Sequence, residues 1–241
     1  FSSGEATSNV SNFLYADATI VSFYDANGVK LADPLNLKGT AIQRYEYTLN
    51  FWNSFNAKDK RRNATFMAYY DKDNVLKGTV LKKFIGSISS TGARVYDTNE
   101  PVYRYADVLL MLAEVENMKG GDPAKYINQI RQRAYGTDYN AVTDAYTNAG
   151  FKDNEYAILA ERDKEFVYEG KRWYDIVRMK DAANGQSLAF DAASAYGTTS
   201  VLKATETHKL LWPVDKNTLN SDPTLKQTPG YKVAEQVEEE W

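Results

Sequence analysis

The sequence predicts a mainly α-helical fold with long irregular loops and a few short β-strands. Three observations carry that expectation. Apolar residues recur at helical spacing through Pro101 to Met118 and again from Ala124 to Ala134. Between them, Gly120-Gly121-Asp122-Pro123 is a helix stop followed by a helix start, so the two helices should form an antiparallel hairpin. Glu161, Glu165 and Glu169 then repeat every four residues ahead of Gly170, which reads as a row of charge on one helix closed by a C-cap glycine.

The remaining elements follow in chain order. Residues 1 to 18 are rich in Ser, Asn, Ala and Gly and read as a loose lead-in. Thr19 to Asp25 has strand character, and Asn27-Gly28 turns it into a return strand over Val29 to Leu31. Thr65 to Tyr70 and Thr79 to Ile85 read as short strands joined through the turn Asp71-Lys72-Asp73-Asn74. Asn99 or Glu100 opens the first long helix. Asp122 caps the second, with Pro123 at its first position, and Gly136 stops it. After a polar loop over 137–152, Asp153 caps a third helix running to Glu169, and a fourth runs from about Arg172 to Ala183. Residues 184–200 read as irregular. Lys209 to Val214 is extended and stopped by Pro213, and Asp222-Pro223 with Pro229-Gly230 pins an irregular wrap. Val233 to Trp241 closes the chain as a helix or a tail. The expected organisation is a lead-in and hairpin region over 1–58, a main region over 59–231 and a tail over 232–241.

Composition excludes several functions. Hydrophobic residues are 43% and charged residues 25% of the 241, ordinary for a globular chain. A net charge of −3 does not favour phosphate backbones. With no cysteine and a single histidine, His208, thiol chemistry, a histidine metal site and a Ser-His-Asp triad have no basis. Asp71-Lys72-Asp73-Asn74 opens like a calcium loop but lacks the glycine at its sixth position and the glutamate at its twelfth. No metal and no cofactor is expected.

The glutamate row needs an explanation. Like charges at that spacing cost roughly 0.2–0.5 kcal/mol per pair. One reading is a solvated helix face. The other is a carboxylate–guanidinium network, with Arg162, Arg172 and Arg178 as near partners and Arg104, Arg131 and Arg133 as distant ones. A glycosidase pair fits poorly. Adjacent turns put both carboxylates on one side of any sugar, and nearby arginines lower both pKa values when an acid catalyst needs one raised.

Glu161-Arg162, Glu165, Glu169-Gly170, Arg172-Trp173, Asp175 and Arg178 together resemble the C-terminal signature of the SusD/RagB family. Pro101 to Glu114 resembles the helix that precedes it in that family. Leu211-Trp212-Pro213-Val214-Asp215 with Asn220, Asp222-Pro223 and Gln227-Thr228-Pro229-Gly230-Tyr231 resembles its closing loop. The resemblance covers roughly residues 59 to 231. It implies tetratricopeptide-type helix packing and a non-catalytic nutrient-binding lipoprotein on the surface of the outer membrane. It also implies a TonB-dependent transporter of the SusC type as partner, and an architectural role for Arg104 and the signature residues. Family members carry a signal peptide, a lipidated cysteine and a helical N-terminal half. None appears in these residues, so the chain is expected to be a piece of a longer, lipid-anchored protein.

Trp52, Tyr47 and Phe51, with Tyr69 and Tyr70, form the candidate ligand surface. Aromatic faces pack against the C–H faces of sugars, and the interspersed asparagines can bond hydroxyls. Burial of these rings in a core is the competing expectation. A glycan is the expected ligand; the alternatives are a peptide ligand, which the family also includes, or an interaction scaffold with no small-ligand site.

Overall fold

The chain packs as two compact units that divide between Arg172 and Trp173. The computed structural model describes residues 9–39, 41–195, 199–200 and 202–232. The closing segment from Val233 lies outside them.

The first unit begins with a 3-10 turn over Asn9–Phe13. Val10, Leu14 and Tyr15 are buried, so residues 10–15 are core and the loose lead-in expected there is corrected. Polar composition hid three apolar anchors, of which Leu14 and Tyr15 cluster with Ile20, Leu37, Tyr69 and Val80. α1 (Asp17–Ile20) replaces the start of the strand expected from Thr19. What survives of that strand is Tyr24, bridged to Lys30 across the Asn27-Gly28 turn and to Tyr70. Asp25 fixes the turn by accepting from the N–H groups of Asn27 and Val29 at 2.8 Å each.

α2 (Leu49–Asn53) is capped by the Thr48 hydroxyl and α3 (Lys60–Thr65) by the Asp59 carboxylate. β1 (Phe66–Tyr70) and β2 (Leu76–Leu81) pair antiparallel, with Met67 opposite Val80. β2 starts and stops earlier than expected. Gly78 is the residue this pairing requires: a Cβ there would stand 2.3 Å from the Tyr69 hydroxyl oxygen. β3 (Ser87–Ile88) and β4 (Arg94–Val95) make a second small pair.

The helical part is built on α4 (Tyr105–Met118), α5 (Ala124–Tyr135) and α7 (Phe151–Glu165), each packed on the other two, with the short α6 (Ala141–Asp144) between α5 and α7. α4 starts later than Pro101 because Asp107 reaches back to the Arg104 N–H (3.2 Å), so the first turn closes there. α5 starts where Asp122 accepts the Ala124 N–H at 2.8 Å and stops at Gly136, as its sequence requires. α7 starts at Phe151, ahead of Asp153, after a Gly150 with φ of +91°. It ends at Glu165, one turn short of Glu169. The helix stops there because cations take its last carbonyl: Arg104 Nη2 donates to the Glu165 oxygen at 2.7 Å. Tyr168 (φ +60°) and Gly170 (φ +69°) then turn the chain.

A buried amide joins α4, α7 and the loop before α7. Asn154 donates to Asn117 Oδ1 (2.8 Å) and Asn148 Oδ1 (2.9 Å), and accepts from the Tyr146 hydroxyl (2.7 Å) and the Ala149 N–H (3.1 Å).

The second unit contains most of α8 (Arg172–Arg178), which stops short of Ala183. The chain doubles back instead. Lys180 bridges Ser187, Asp181 N–H donates to Gln186 at 2.8 Å, and Leu188 N–H donates to Met179 at 2.9 Å. Within 184–200, expected to be irregular, Leu188 and Ala189 are fully buried and two 3-10 turns form at Leu188–Phe190 and Ala192–Ala195. A last helix, α9 (Lys216–Ser221), absent from the sequence reading, starts where Asp215 accepts from the N–H groups of Asn217 (2.9 Å) and Thr218 (3.2 Å).

Replacing Asn154 with alanine breaks four hydrogen bonds and leaves the buried Asn117 amide oxygen and the half-buried Tyr146 hydroxyl without a partner they now have. Each costs about 1–3 kcal/mol, and packing relaxation recovers part of the total. N154A should lower the melting temperature by roughly 5 °C or more in a thermal melt followed by circular dichroism.

Candidate functional site

The sequence left two readings of the glutamate row open, and the geometry decides between them. Glu161 and Glu165 lie on α7 and Glu169 in the turn after it, and all three carboxylates are buried. Arg61, on α3, makes a bidentate pair with Asp59 through Nε (2.9 Å) and Nη2 (2.7 Å). It also reaches Glu161 from Nη2 (2.6 Å) and Glu165 from Nη1 (3.0 Å). Arg104, at the head of α4, grips Glu169 with Nε (3.0 Å) and Nη2 (2.8 Å), and donates from Nη1 to Glu165. Arg131 donates from Nε to Glu161 at 3.1 Å, Arg133 donates to Glu165, and Lys83 donates to Glu169. The distant arginines proposed from sequence are all present. Arg61 was overlooked as a partner, although Asp59-Lys60-Arg61 reads as a cap followed by a cation.

The near candidates have other described partners. Arg172 pairs with Asp163 at 2.6 Å and Arg178 with Asp175 at 2.8 Å. The Arg162 guanidinium lies 3.7 Å from Asp107 and 4.9 Å from the Phe166 ring centre, and Arg104 lies 4.7 Å from the same ring. Gly170 takes the left-handed turn expected of it, one turn beyond the helix end.

Electrostatics follow from the packing. Burial pushes the Glu165 pKa up, but hydrogen bonds from Arg133 and Arg104 and the charge of Arg61 outweigh it and hold the group at about 2. Burial lowers the Lys83 pKa, only partly opposed by Glu169. A carboxylate held this far below its usual range cannot serve as an acid near neutral pH. The cluster binds helices together, with Glu165 bonded to three of them.

The aromatic candidates are mostly interior. Trp52 is 8% exposed, with the Arg62 guanidinium 4.9 Å above its ring. Phe51 and Tyr69 are buried too. Phe51 meets Phe55 edge to face at 5.2 Å, and Tyr47 meets Phe66 the same way at 5.1 Å. The Tyr69 ring lies 4.6 Å from Phe23, and its hydroxyl donates to Glu46 at 2.5 Å. Tyr47 and Tyr70 are half-buried, and burial pushes the Tyr47 hydroxyl up to about 12. Tyr47, Phe51, Trp52, Phe55 and Phe66 pack against one another, which is the burial named as the competing expectation.

In the second unit, Trp212 is 76% exposed, 6.4 Å from Trp173. Its loop is pinned from behind. Tyr231 and Thr228 donate to the carbonyls of Leu211 and Trp212 at 2.9 Å each, and the Gln227 amide brackets Val214 at 2.8 and 3.0 Å. Gly230 packs against His208: a Cβ at position 230 would lie 2.4 Å from His208 Cβ.

Three packed helices tied at one end by buried arginine–carboxylate bonds, followed in the chain by a smaller pinned-loop unit, define a mainly helical architecture. Residues 71–231 match the SusD family, and the chain belongs to it. It is similar to a SusD superfamily protein of Bacteroides fragilis, with 43% identity and a TM-score of 0.86 over 95% of this chain and 50% of that one. It is 30% identical over 136 residues to the starch-binding protein SusD of Bacteroides thetaiotaomicron, a match covering 56% of this chain and 22% of that protein. It also resembles surface glycan-binding protein A of Bacteroides uniformis, at 27% identity and a TM-score of 0.51 over 75% of this chain and 40% of that one. The chain thus spans about half of the first of these proteins, and its matched part less of the others.

Arg61→Ala would leave three buried carboxylates short of a partner. Breaking a buried pair costs about 3–5 kcal/mol, so the melting temperature should fall by roughly 10 °C. Arg61→Lys should recover only part of that, since an ammonium cannot hold Asp59 with two parallel bonds. For Glu165 the folded pKa lies below the ordinary 4.5, so its contribution is complete above pH 4.5 and disappears as pH falls toward 2. That contribution is about 3 kcal/mol. Urea unfolding between pH 7 and 2.5 should show the loss, and Glu165→Gln should flatten the acid limb.

Proposed function

We propose that this chain is part of a cell-surface protein that captures a glycan without chemical change and delivers it to a TonB-dependent outer-membrane transporter of the SusC type. Membership of the SusD family supports the reading, as do the starch-binding and glycan-binding names of the relatives. The observation that carries the non-catalytic part is the state of Glu165. It is buried, bonded to Arg61, Arg104 and Arg133, and held at about 2. In this reading Arg104, Glu161, Glu165, Glu169, Arg172, Trp173 and Asp175 are architectural. The outer-membrane location and the lipid anchor of the whole protein belong to the same proposal. Among the described residues no helix is long and apolar enough to cross a membrane.

Within the aromatic group first singled out, Tyr47 and Tyr70 retain exposed ring surface while Phe51, Trp52 and Tyr69 do not. That burial favours a second reading for this stretch, a scaffold that supports ligand loops contributed by other parts of the whole protein.

Intrinsic fluorescence separates the two. The shielded Trp52 and exposed Trp212 make ring burial and surface contact distinguishable by quencher access. Titration with maltoheptaose and a panel of plant and host polysaccharides, with short peptides as control, should give a saturable, ligand-selective change. A flat titration with every glycan would leave the scaffold reading in possession, and a response to peptides alone would change the ligand class.

A further inference from the structure

α4 turns its polar residues inward and leaves an apolar stripe exposed at Tyr105, Val108, Leu112 and Val115. The stripe changes character at its first turn. There the last turns of α5 bring polar side chains beside it, and an open groove of about 610 Å³ lies between the two helices. That volume falls within the roughly 300–1,000 Å³ of small-ligand clefts. Tyr105, Leu109 and Ile130 give the groove ring and aliphatic surface, and Gln129, Gln132 and Arg133 give it donors. The three polar residues stand at i, i+3 and i+4, so one face of α5 presents them together. None of the described residues that line the groove is acidic.

Positive charge is in excess beside this groove. Five cations, Arg61, Lys83, Arg104, Arg131 and Arg133, meet four carboxylates, Asp59, Glu161, Glu165 and Glu169. The side chains of the first four cations are at most 27% exposed, whereas Arg133 is 53% exposed. Arg104 also lines the groove, but all three of its guanidinium nitrogens donate inward, to Glu165 and Glu169. Arg133 gives only Nη2 to Glu165, and among the described residues nothing accepts from its Nε or Nη1. The bond to Glu165 holds the guanidinium in place, so less freedom is lost when a ligand takes the remaining nitrogens.

We propose that this groove binds an acidic sugar residue of a glycan. Its carboxylate or sulfate oxygens meet the open nitrogens of Arg133, its hydroxyls meet Gln129 and Gln132, and a C–H face of its ring covers Tyr105. The inference rests on the glycan-capture reading above and narrows it to glycans that carry negative charge. Each contact follows from the chemistry on offer. A guanidinium forms its strongest hydrogen bonds with oxyanions. A side-chain amide both donates to and accepts from hydroxyls. Tyr105 is 71% exposed and presents an aromatic face to the groove. A neutral sugar gains nothing from the charge of Arg133, so charge sets the preference.

Isothermal titration calorimetry of this chain tests it with a galacturonate oligosaccharide, a κ-carrageenan oligosaccharide and maltoheptaose. The first two separate carboxylate from sulfate as the recognised anion. At least one acidic probe should bind at least about tenfold more tightly than maltoheptaose, and its affinity should fall severalfold between about 50 and about 500 mM NaCl. R133Q should weaken that probe about ten- to a hundredfold, because a charge-assisted hydrogen bond is lost, and leave maltoheptaose unchanged. R133K keeps the charge and should recover part of the loss. Y105A leaves the arginine network intact, should melt within about 2 °C of the parent, and should weaken the acidic probe severalfold. Equal binding of acidic and neutral probes, or acidic binding that survives both R133Q and Y105A, overturns the inference and leaves glycan capture standing. If the folded chain binds none of these probes and none of the wider polysaccharide panel, the glycan reading falls for this chain and the inference falls with it.

Discussion

The structure depends on Glu165. Arg61 from α3, Arg104 from the head of α4 and Arg133 from the end of α5 converge on one buried carboxylate at the end of α7. Four elements far apart in sequence are thereby fixed to a common point. The neighbours extend the fastening in both directions, Glu161 to Arg131 and Arg61, Glu169 to Arg104 and Lys83. Removing charge from water is costly, and the Coulomb gain alone does not guarantee a net return. What such a network does guarantee is register, because a planar guanidinium satisfies two carboxylates only when its helices sit at one height and one rotation. The same bonds set where α7 ends, since Arg104 takes the carbonyl that would otherwise have carried the helix forward. Glu169 therefore leaves the helical row and reaches the cluster from a turn.

Much of this was legible in the sequence. The four-residue glutamate spacing, the arginines at 104, 131 and 133 and the Gly-Gly-Asp-Pro link each report a local physical need, and each marks a real feature. What escaped was decided at long range. The end of α7 depends on Arg104, about sixty residues earlier by chain position, and the start of α4 on a single carboxylate, Asp107, which no periodicity distinguishes from Asn99 or Glu100. Val10, Leu14 and Tyr15 were hidden by polar neighbours, and the burial of Leu14 and Tyr15 rests on Leu37, Tyr69 and Val80. α9 is short and depends on Asp215, which the sequence reading placed only in the closing-loop motif after an extended piece.

The aromatic stretch shows a different limit. Composition cannot say whether Phe51, Trp52 and Tyr69 face a ligand or each other, because the same rings serve both purposes. The structure uses them as filling between α2, β1 and the first turns, with Phe66 at the centre of contacts to Tyr47, Phe51, Trp52 and Phe55. The candidate ligand surface was legible as a cluster and illegible as a surface.

The arginine network and the exposed stripe on α4 are two sides of one constraint. α4 spends its polar residues inward. Asp107 closes its first turn and faces Arg162 and Lys171, and Asn117 bonds Asn154 and the carbonyl of Phe151. A helix whose polar groups are committed to internal bonds has only apolar positions left for its other side. Making that side polar would suit this chain by itself, yet Tyr105, Val108, Leu112 and Val115 keep a helix-wide seam along its full length. An exposed apolar stripe of this length is the kind of surface that marks a contact site. The cluster therefore fixes α4 through its polar side, by charge and amide bonds, and leaves its apolar positions facing outward.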